Sequence, residues 1–186
     1  LVGNVLYEGI LEFAYQGPLL KLVKGKTKIA ITGNVFFQII KLNQEIINGE
    51  CNRTYALEEG DQIDILATKQ SAYGYLAIEG GFDLKPFCNS VSILARAHIG
   101  PNNGEKIKIK DKIIIKRNST SKKNFITKVL NKDKNKIRVL KGSQFNYFSN
   151  ESQKNFFSKE YTITNLTDRM GMRLEGTIIK NTVSTN

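Results

Sequence analysis

The sequence is poor in the residues that build metal sites, disulfide frameworks and membrane spans. Among its 186 residues there are no tryptophans, three prolines, two cysteines and one histidine. The single histidine, His98, excludes a histidine-rich metal site within one chain and leaves one candidate base for a Ser–His or Cys–His pair. Cys51 and Cys88 form no CxxC motif, which favours reduced thiols in a cytoplasmic protein. No apolar run is long enough to cross a bilayer, and no signal peptide is recognisable.

The charge is strongly unbalanced. The chain has 28 lysines and arginines against 17 acidic residues, which gives a formal net charge of +11. Such a charge is typical of proteins that bind nucleic acids. However, lysine, asparagine and isoleucine are abundant together, which a general bias in residue usage also explains, and aromatic residues are not interleaved with the basic runs as a base-stacking surface requires. We therefore expect non-specific binding of polyanions rather than a dedicated nucleic-acid function.

The apolar pattern is mostly that of β-strands. Segments 19–33 and 63–69 carry aliphatic and β-branched residues in roughly period-two order, and Gly/Asn and Gly/Asp pairs punctuate the chain. Segment 106–117, KIKIKDKIIIKR, begins with an isoleucine face and a lysine face, which predicts a half-buried strand. The sequence therefore predicts a mainly β protein.

The pattern lapses in the polar and charged stretch 118–136, which predicts a linker. The linker would separate a first β block, 1–117, from a second block, 137–186. Within the second block, 137–148 predicts a strand that runs into a turn. Segment 149–161 predicts a helix that is capped by Ser149 or Asn150 and turns Phe156 and Phe157 inwards, and a strand, a turn and a further strand follow it.

Several phrases, taken in order, resemble the biotin-dependent carboxyltransferase family. Because these phrases are spread in order over nearly the whole chain, together they support the resemblance more strongly than any single phrase does. The phrases are LEFAYQGPLL (11–20), ITGN (31–34), EEGDQIDI (58–65), YGYLAIEGGFDLKP (73–86), RVLKGSQFNYFSNES (138–152) and DRMGMRLEG (168–176).

The resemblance implies a cyclophilin-like β-barrel architecture with a short helix or two, and makes residues 137–186 the start of such a barrel. The family includes the C subunit of ATP-dependent 5-oxoprolinase, also called allophanate hydrolase subunit 2, and half of the carboxyltransferase region of urea carboxylase. A 5-oxoprolinase would open 5-oxoproline to glutamate with ATP and Mg, beside a homologous B subunit and a further A subunit. A urea carboxylase would instead transfer a carboxyl group from biotin to urea. The chain has no GxxxxGK[ST] phosphate loop of its own.

The chain also departs from the family. Members carry sequence ahead of the position of Leu1 and beyond Gly176, so the resemblance implies truncation at both ends. The family's GSRST turn aligns with 89–93, where its arginine is replaced by Val91 and its threonine by Ile93. Valine supplies neither charge nor a guanidinium fork, so an anion held by that arginine would lose its contact. We therefore do not expect activity from this chain alone, and a non-catalytic remnant is an alternative.

The stretch TDRMGMRLEG (167–176) is the first candidate site. In one interpretation Asp168, Arg169, Arg173 and Glu175 bind substrate, because an arginine fork suits a carboxylate such as that of 5-oxoproline. In the other, Asp168 and Arg169 form ion pairs that fix a turn. The three apolar residues of the stretch then alternate into the core, namely Met170, Met172 and Leu174.

The remaining candidates are three small residues. Gly80 and Gly81 predict either a tight turn with positive φ or a backbone surface open to substrate. Ser90 keeps a hydroxyl in the altered turn and is a further candidate for substrate binding. The sequence identifies no catalytic residue and predicts no metal site.

Overall fold

The computed structural model describes residues 1–116, 136–168 and 170–182, with Asp168 described by its backbone alone. The chain divides into two compact units, Leu1–Leu130 and Asn131–Asn186. Apart from Lys136, the predicted linker 118–136 lies outside the described residues, and the predicted domain boundaries stay predictions.

Over its described residues, the first unit contains eight strands in two antiparallel sheets. In chain order they are β1 (Leu11–Ala14), β2 (Leu19–Lys21), β3 (Lys26–Thr32), β4 (Val35–Ile40), β5 (Ile46–Asn48), β6 (Thr54–Glu58), β7 (Gln62–Thr68) and β8 (Tyr73–Ile78). One sheet has the order β1-β8-β3-β6 and the other has the order β2-β7-β4-β5. The sequence-based prediction of a mainly β protein is confirmed.

Both sheets bury one set of alternating residues in a single shared core. Ile29, Ile31 and Leu76 come from the first sheet, and Ile39 and Ile65 from the second, and none is more than 1% exposed. Burying one such aliphatic side chain contributes about 2 kcal/mol. The alternation follows from the two-residue period of a strand, which places every second side chain on the core face.

The chain itself joins the two sheets at both of their edges. Strands β1 and β2 are edge strands of different sheets and are consecutive in sequence, and so are β5 and β6. Backbone hydrogen bonds fix the two crossings: Thr68 donates to the Tyr15 carbonyl at 2.7 Å, and Asn52 donates to the Ile31 carbonyl at 2.8 Å. The two sheets therefore enclose the core in the manner of a barrel.

The second unit contains a helix and a hairpin. Helix α1 spans Asn150–Ser158, and the hydroxyl of Ser149 accepts a hydrogen bond from the amide of Ser152 at 3.1 Å. The predicted helix and its Ser149 cap are confirmed. Strands β9 (Tyr161–Asp168) and β10 (Gly171–Gly176) then form an antiparallel hairpin, as the sequence predicts.

Two predicted strands are wrong. Over its described residues, the segment 106–117 forms only an isolated bridge between Ile115 and Phe82, and the carboxylate of Asp111 accepts the amide of Lys108 at 2.7 Å in a turn. This local hydrogen bond competes with an extended ladder, which alternation alone does not reveal. Segment 137–148 likewise contains no strand and ends in a 3₁₀ turn at Phe145–Tyr147.

A buried carboxylate organises one end of the first unit. Asp61 is 2% exposed, and it accepts the amides of Glu58 at 2.9 Å and Leu42 at 3.1 Å together with the ammonium of Lys41. Burial by itself would raise the pKa of the Asp61 carboxyl. The Glu58 amide, the Lys41 ammonium and the Leu42 amide outweigh burial and hold that pKa below its ordinary value.

Substituting Asp61→Asn is expected to lower the free energy of unfolding at pH 7 by about 1–3 kcal/mol, because a buried charged acceptor is lost. Because the pKa of Asp61 is lower in the folded state than in the unfolded state, its carboxylate stabilises the fold at pH values above the unfolded-state pKa. This stabilisation is lost as the pH falls through the folded-state pKa. The difference between wild type and variant should therefore shrink below about pH 4. Urea denaturation at pH 7 and below about pH 4 measures this difference in the free energy of unfolding. Glu45→Gln, which changes an exposed carboxylate, is the control. An equal difference at both pH values would contradict the assignment.

Candidate functional site

The Gly80–Gly81 turn follows β8 and is fastened to the start of the chain. Both glycines have positive φ, 82° and 79°, a conformation that side-chain-bearing residues rarely adopt. The side chain of Asn4 accepts the amide of Gly80 at 2.7 Å and donates to the Ile78 carbonyl at 2.8 Å. The amide of Gly81 donates to the same Ile78 carbonyl at 2.9 Å. Both amides of the turn are therefore engaged within the chain.

An ion pair lies against the same turn. A Cβ atom on Gly81 would lie 2.5 Å from a carboxylate oxygen of Glu8, so the missing side chain makes room for that carboxylate. The same carboxylate pairs with the ammonium of Lys116 at 2.7 Å, and the Lys116 amide donates to the Gly81 carbonyl at 3.1 Å. Glu8 is 20% exposed and Lys116 is 41% exposed, so both charged groups are reachable from solvent.

Sequence analysis missed three members of this cluster: Asn4, Glu8 and Lys116. Asn4 and Lys116 lie 76 and 108 residues away from their contacts with Gly80 and Glu8. No local motif marks such distant partners, although the two glycines themselves signal the turn. Chemically, the cluster offers one carboxylate and one ammonium side by side. A polar ligand with both an N–H group and an acidic group could exchange into it.

Ser90 closes a tight turn in the altered GSRST segment. Phe87 and Ser90 exchange two backbone hydrogen bonds, and Cys88 and Asn89 between them have φ of 47° and 60°, as in a two-residue type I′ turn. The hydroxyl of Ser90 accepts the amide of Ser92 at 3.1 Å and is thus used locally. Ser90 is exposed.

The N-terminal segment contacts the diglycine turn and, beyond it, residues on either side of the Phe87–Ser90 turn. It meets the diglycine turn through Asn4 and Glu8, and the next residue, Gly9, lies against the side chains of Val91 and Leu84. Val91 therefore packs in an apolar contact at the position where the family resemblance places an arginine.

The hairpin of the second unit carries the other candidates. Arg173 and Glu175 are exposed on β10, and the backbone of Asp168 pairs with Gly171. Arg169 lies outside the described residues. Between the pairs Met172–Thr167 and Leu174–Ile163, β9 has two more residues than β10, so Arg173 faces a bulge in β9.

The apolar residues of this hairpin are not buried within the second unit. Met170, Met172 and Leu174 are 73%, 59% and 52% exposed, so the expectation that they alternate into a core is wrong for the described residues of this unit. Phe156 and Phe157, predicted to face inwards, are 46% and 60% exposed. The physical reason is that a two-stranded ribbon offers no second layer to cover its faces.

An open groove of about 470 Å³ lies beside β10. Its lining is mainly apolar and consists of Phe156, Tyr161, Leu174, Glu175, Gly176, Thr177, Ile178 and Ile179. The hydroxyl of Tyr161 is buried and has no hydrogen-bond partner among the described residues. The groove is therefore a mainly apolar surface.

The predicted site residues thus fall into two sets. Gly80, Gly81 and Ser90 belong to the first unit, and Arg173 and Glu175 belong to the second. Over residues 1–116, 136–168 and 170–182, no group of three or more His, Cys, Asp or Glu side chains is placed to hold a metal ion. In the part of the chain that the structure describes, no helix has the length and apolar character that a membrane span requires.

Gly81→Ala is expected to lower the free energy of unfolding by roughly 1–3 kcal/mol, because alanine is strained at this φ and its methyl displaces the Glu8 carboxylate. Gly25→Ala is the matched control: Gly25 also has a positive φ, 87°, but nothing lies within 4 Å of the added atom. Chemical denaturation of both variants separates the strain from the displacement. Equal losses would show that the Glu8 contact contributes nothing.

Comparison with known proteins identifies relatives of this chain. The sequence profile of the carboxyltransferase domain, subdomains A and B, matches residues 1–185. The chain is 29% identical over 129 residues to the C subunit of 5-oxoprolinase from Escherichia coli K12, covering 68% of this chain and 41% of that protein. It is 27% identical over 192 residues to urea amidolyase of Lachancea kluyveri, covering 95% of this chain and 10% of that protein.

The fold has a counterpart among solved structures. The crystal structure of the K. lactis urea amidolyase superposes with a TM-score of 0.75 at 24% identity, over 98% of this chain and 12% of that one. The chain thus spans less than half the length of each of these relatives. Because the family profile covers nearly every residue, the chain belongs to the family of the carboxyltransferase domain, subdomains A and B.

Proposed function

We propose that this chain is a component of an ATP-dependent 5-oxoprolinase complex, which opens 5-oxoproline to glutamate. The observation that carries the proposal is the match to two proteins named as the C subunit of 5-oxoprolinase, at 29% and 30% identity over about two thirds of this chain. A protein with such a name works beside other polypeptides. The chain would accordingly act with a homologous B subunit and with a further A subunit.

The arginines of the hairpin are the proposed anion-facing residues. A guanidinium forms paired hydrogen bonds with a carboxylate, and 5-oxoproline carries one carboxylate. Arg173 is exposed on β10, and Arg169 belongs to the same stretch of sequence. Asp168 and Glu175, from the same stretch, stay in the proposal as further substrate contacts. Gly80, Gly81 and Ser90 of the first unit stay separate candidates for contact with a polar ligand.

We assign ATP to a different polypeptide of the complex. A phosphate cradle needs free backbone amides, but the amides of Gly80 and Gly81 already donate to Asn4 and Ile78. The diglycine turn therefore does not fit a nucleotide phosphate. ATP, with Mg, would supply the free energy for opening the lactam ring elsewhere in the complex.

A carboxyltransferase of the urea carboxylase type is the second candidate. The match to urea amidolyase covers 95% of this chain, whereas the matches to the C subunits of 5-oxoprolinase cover about two thirds. Biotin would then have to come from another polypeptide or domain. The bonded amides of the diglycine turn leave no free donor there for the ureido oxygen of biotin. A non-catalytic remnant is the third candidate, favoured by the apolar contact of Val91.

The test is ATP hydrolysis by this chain mixed with its candidate A and B subunits, measured with and without 5-oxoproline. We expect 5-oxoproline to stimulate hydrolysis, and Arg173→Ala to lower kcat/KM for 5-oxoproline roughly 10- to 100-fold through loss of a charge-assisted contact. Arg53→Ala, an exposed arginine of the first unit, is the control.

The outcomes separate the three candidates. Carboxylation of urea by a carboxylated biotin carrier, without any response to 5-oxoproline, would favour the carboxyltransferase. A complex that assembles but responds to neither compound would favour the remnant. Equal losses in Arg173→Ala and Arg53→Ala would remove Arg173 from the proposed site.

A further inference from the structure

The side chain of Asn4 makes a two-point contact with the diglycine turn after β8. Its carbonyl oxygen accepts the amide of Gly80 at 2.7 Å, and its amide nitrogen donates to the Ile78 carbonyl at 2.8 Å. Asn4 is 76 residues away from Gly80 and 74 residues away from Ile78 in sequence. The contact is therefore tertiary, and it satisfies one backbone donor and one backbone acceptor with a single carboxamide.

This contact requires a particular amide geometry. In a primary carboxamide and in a lactam, the carbonyl oxygen and an N–H group lie on the same side of the C–N bond. In a trans secondary amide, such as an ordinary peptide bond, they lie on opposite sides. The Gly80 amide and the Ile78 carbonyl together therefore select amides whose carbonyl and N–H are cis.

The turn itself holds this donor and acceptor in place. Gly80 and Gly81 adopt positive φ angles of 82° and 79°, which glycine reaches without strain. The amide of Gly81 donates to the Ile78 carbonyl at 2.9 Å and so closes the turn through the backbone alone. A carbonyl oxygen has two lone pairs, so Ile78 can accept a second hydrogen bond as well. We conclude that Asn4 fills a preformed pair of backbone groups.

The neighbouring charges favour a neutral occupant of this pair. The Glu8 carboxylate pairs with the Lys116 ammonium at 2.7 Å, and a Cβ atom on Gly81 would lie 2.5 Å from the same carboxylate oxygen. The ion pair thus lies against the second glycine of the turn with its two charges balanced. An anionic ligand would have to displace Glu8, whereas a neutral amide leaves the ion pair intact.

We propose that the diglycine turn is a binding site for a small neutral carboxamide, either primary or a lactam, and that Asn4 is an internal occupant which this ligand displaces. The carbonyl of the ligand accepts the Gly80 amide, and its N–H donates to the Ile78 carbonyl. The site is closed while Asn4 is in place, so Asn4 lowers the apparent affinity for the ligand. This inference is independent of the proposed 5-oxoprolinase activity, which assigns the substrate carboxylate to Arg173 in the second unit.

The experiment is an NMR titration of the whole, isotope-labelled chain with 2-pyrrolidone, followed at the backbone amide of Gly80. Asn4→Ala should bind 2-pyrrolidone about tenfold more tightly than the wild type, because the ligand no longer competes with two neutral hydrogen bonds. N-methyl-2-pyrrolidone lacks the N–H, and N-methylacetamide has its N–H trans to the carbonyl, so each should bind about tenfold more weakly than 2-pyrrolidone. A parallel titration with acetamide shows whether the site prefers a primary carboxamide or a lactam.

Asn43→Ala is the matched control, because the Asn43 carboxamide also accepts a backbone amide, that of Glu45 at 3.1 Å, but in an exposed turn between β4 and β5. It should bind 2-pyrrolidone as the wild type does. Asn4→Asp keeps the shape of the side chain and loses its donor, so it should also bind more tightly than the wild type. Circular dichroism and melting temperature check that each variant is folded, and Asn4→Asp carries the comparison if Asn4→Ala does not fold.

Hydrogen exchange gives a second readout at the same atom. Exchange of the Gly80 amide should be faster in Asn4→Ala than in the wild type, and saturating 2-pyrrolidone should slow it again. Three results would each overturn the proposal: no response of Gly80 to either amide in a folded variant, equal affinity of the wild type and Asn4→Ala, or N-methyl-2-pyrrolidone binding as tightly as 2-pyrrolidone.

Discussion

The Asp61 carboxylate fixes three strand ends of the first unit at once. It accepts hydrogen bonds from the amide of Glu58, the last residue of β6, from the amide of Leu42 just after β4, and from the ammonium of Lys41. Asp61 itself directly precedes β7. Strand β6 belongs to one sheet, and β4 and β7 belong to the other. The contact is thus a polar tie between two sheets that also share the apolar core and the backbone hydrogen bonds at their crossings. An acid buried in this way is tolerated because two backbone amides donate hydrogen bonds to it and Lys41 supplies a positive charge.

Sequence reasoning found β2, β3 and β7, in segments 19–33 and 63–69, because a half-buried strand leaves a period-two pattern of apolar residues. It found the turn at Gly80 and Gly81 because glycine marks backbone with a positive φ, which other residues adopt only with strain. It failed at 106–116, where the alternation of lysine and isoleucine is present but the Asp111 turn prevents a ladder. Burial of Ile113 and Ile115 against the core explains why the pattern looks like a strand without forming one.

The candidate site was less predictable than the fold for a different reason. Gly81 is visible in the sequence, but its neighbours Glu8 and Lys116 are more than 100 residues apart, and Asn4 carries no motif. Their contact depends on the barrel bringing the start of the chain beside the end of β8. Periodicity and local motifs describe neighbours along the chain, so they do not encode such contacts.

The altered segment at Val91 limits where this chain could bind an anion. The side chain of Val91 packs against Gly9 of the N-terminal segment in an apolar contact. The guanidinium of an arginine at this position would instead need water or a negative charge beside it. Lys116 is already paired with Glu8. Any new anion there must displace a carboxylate that Gly81 accommodates. The exposed guanidinium of Arg173 has no such competitor across its own ladder, since β9 bulges away from it. A substrate carboxylate would therefore meet that guanidinium without displacing an acidic side chain across the hairpin ladder.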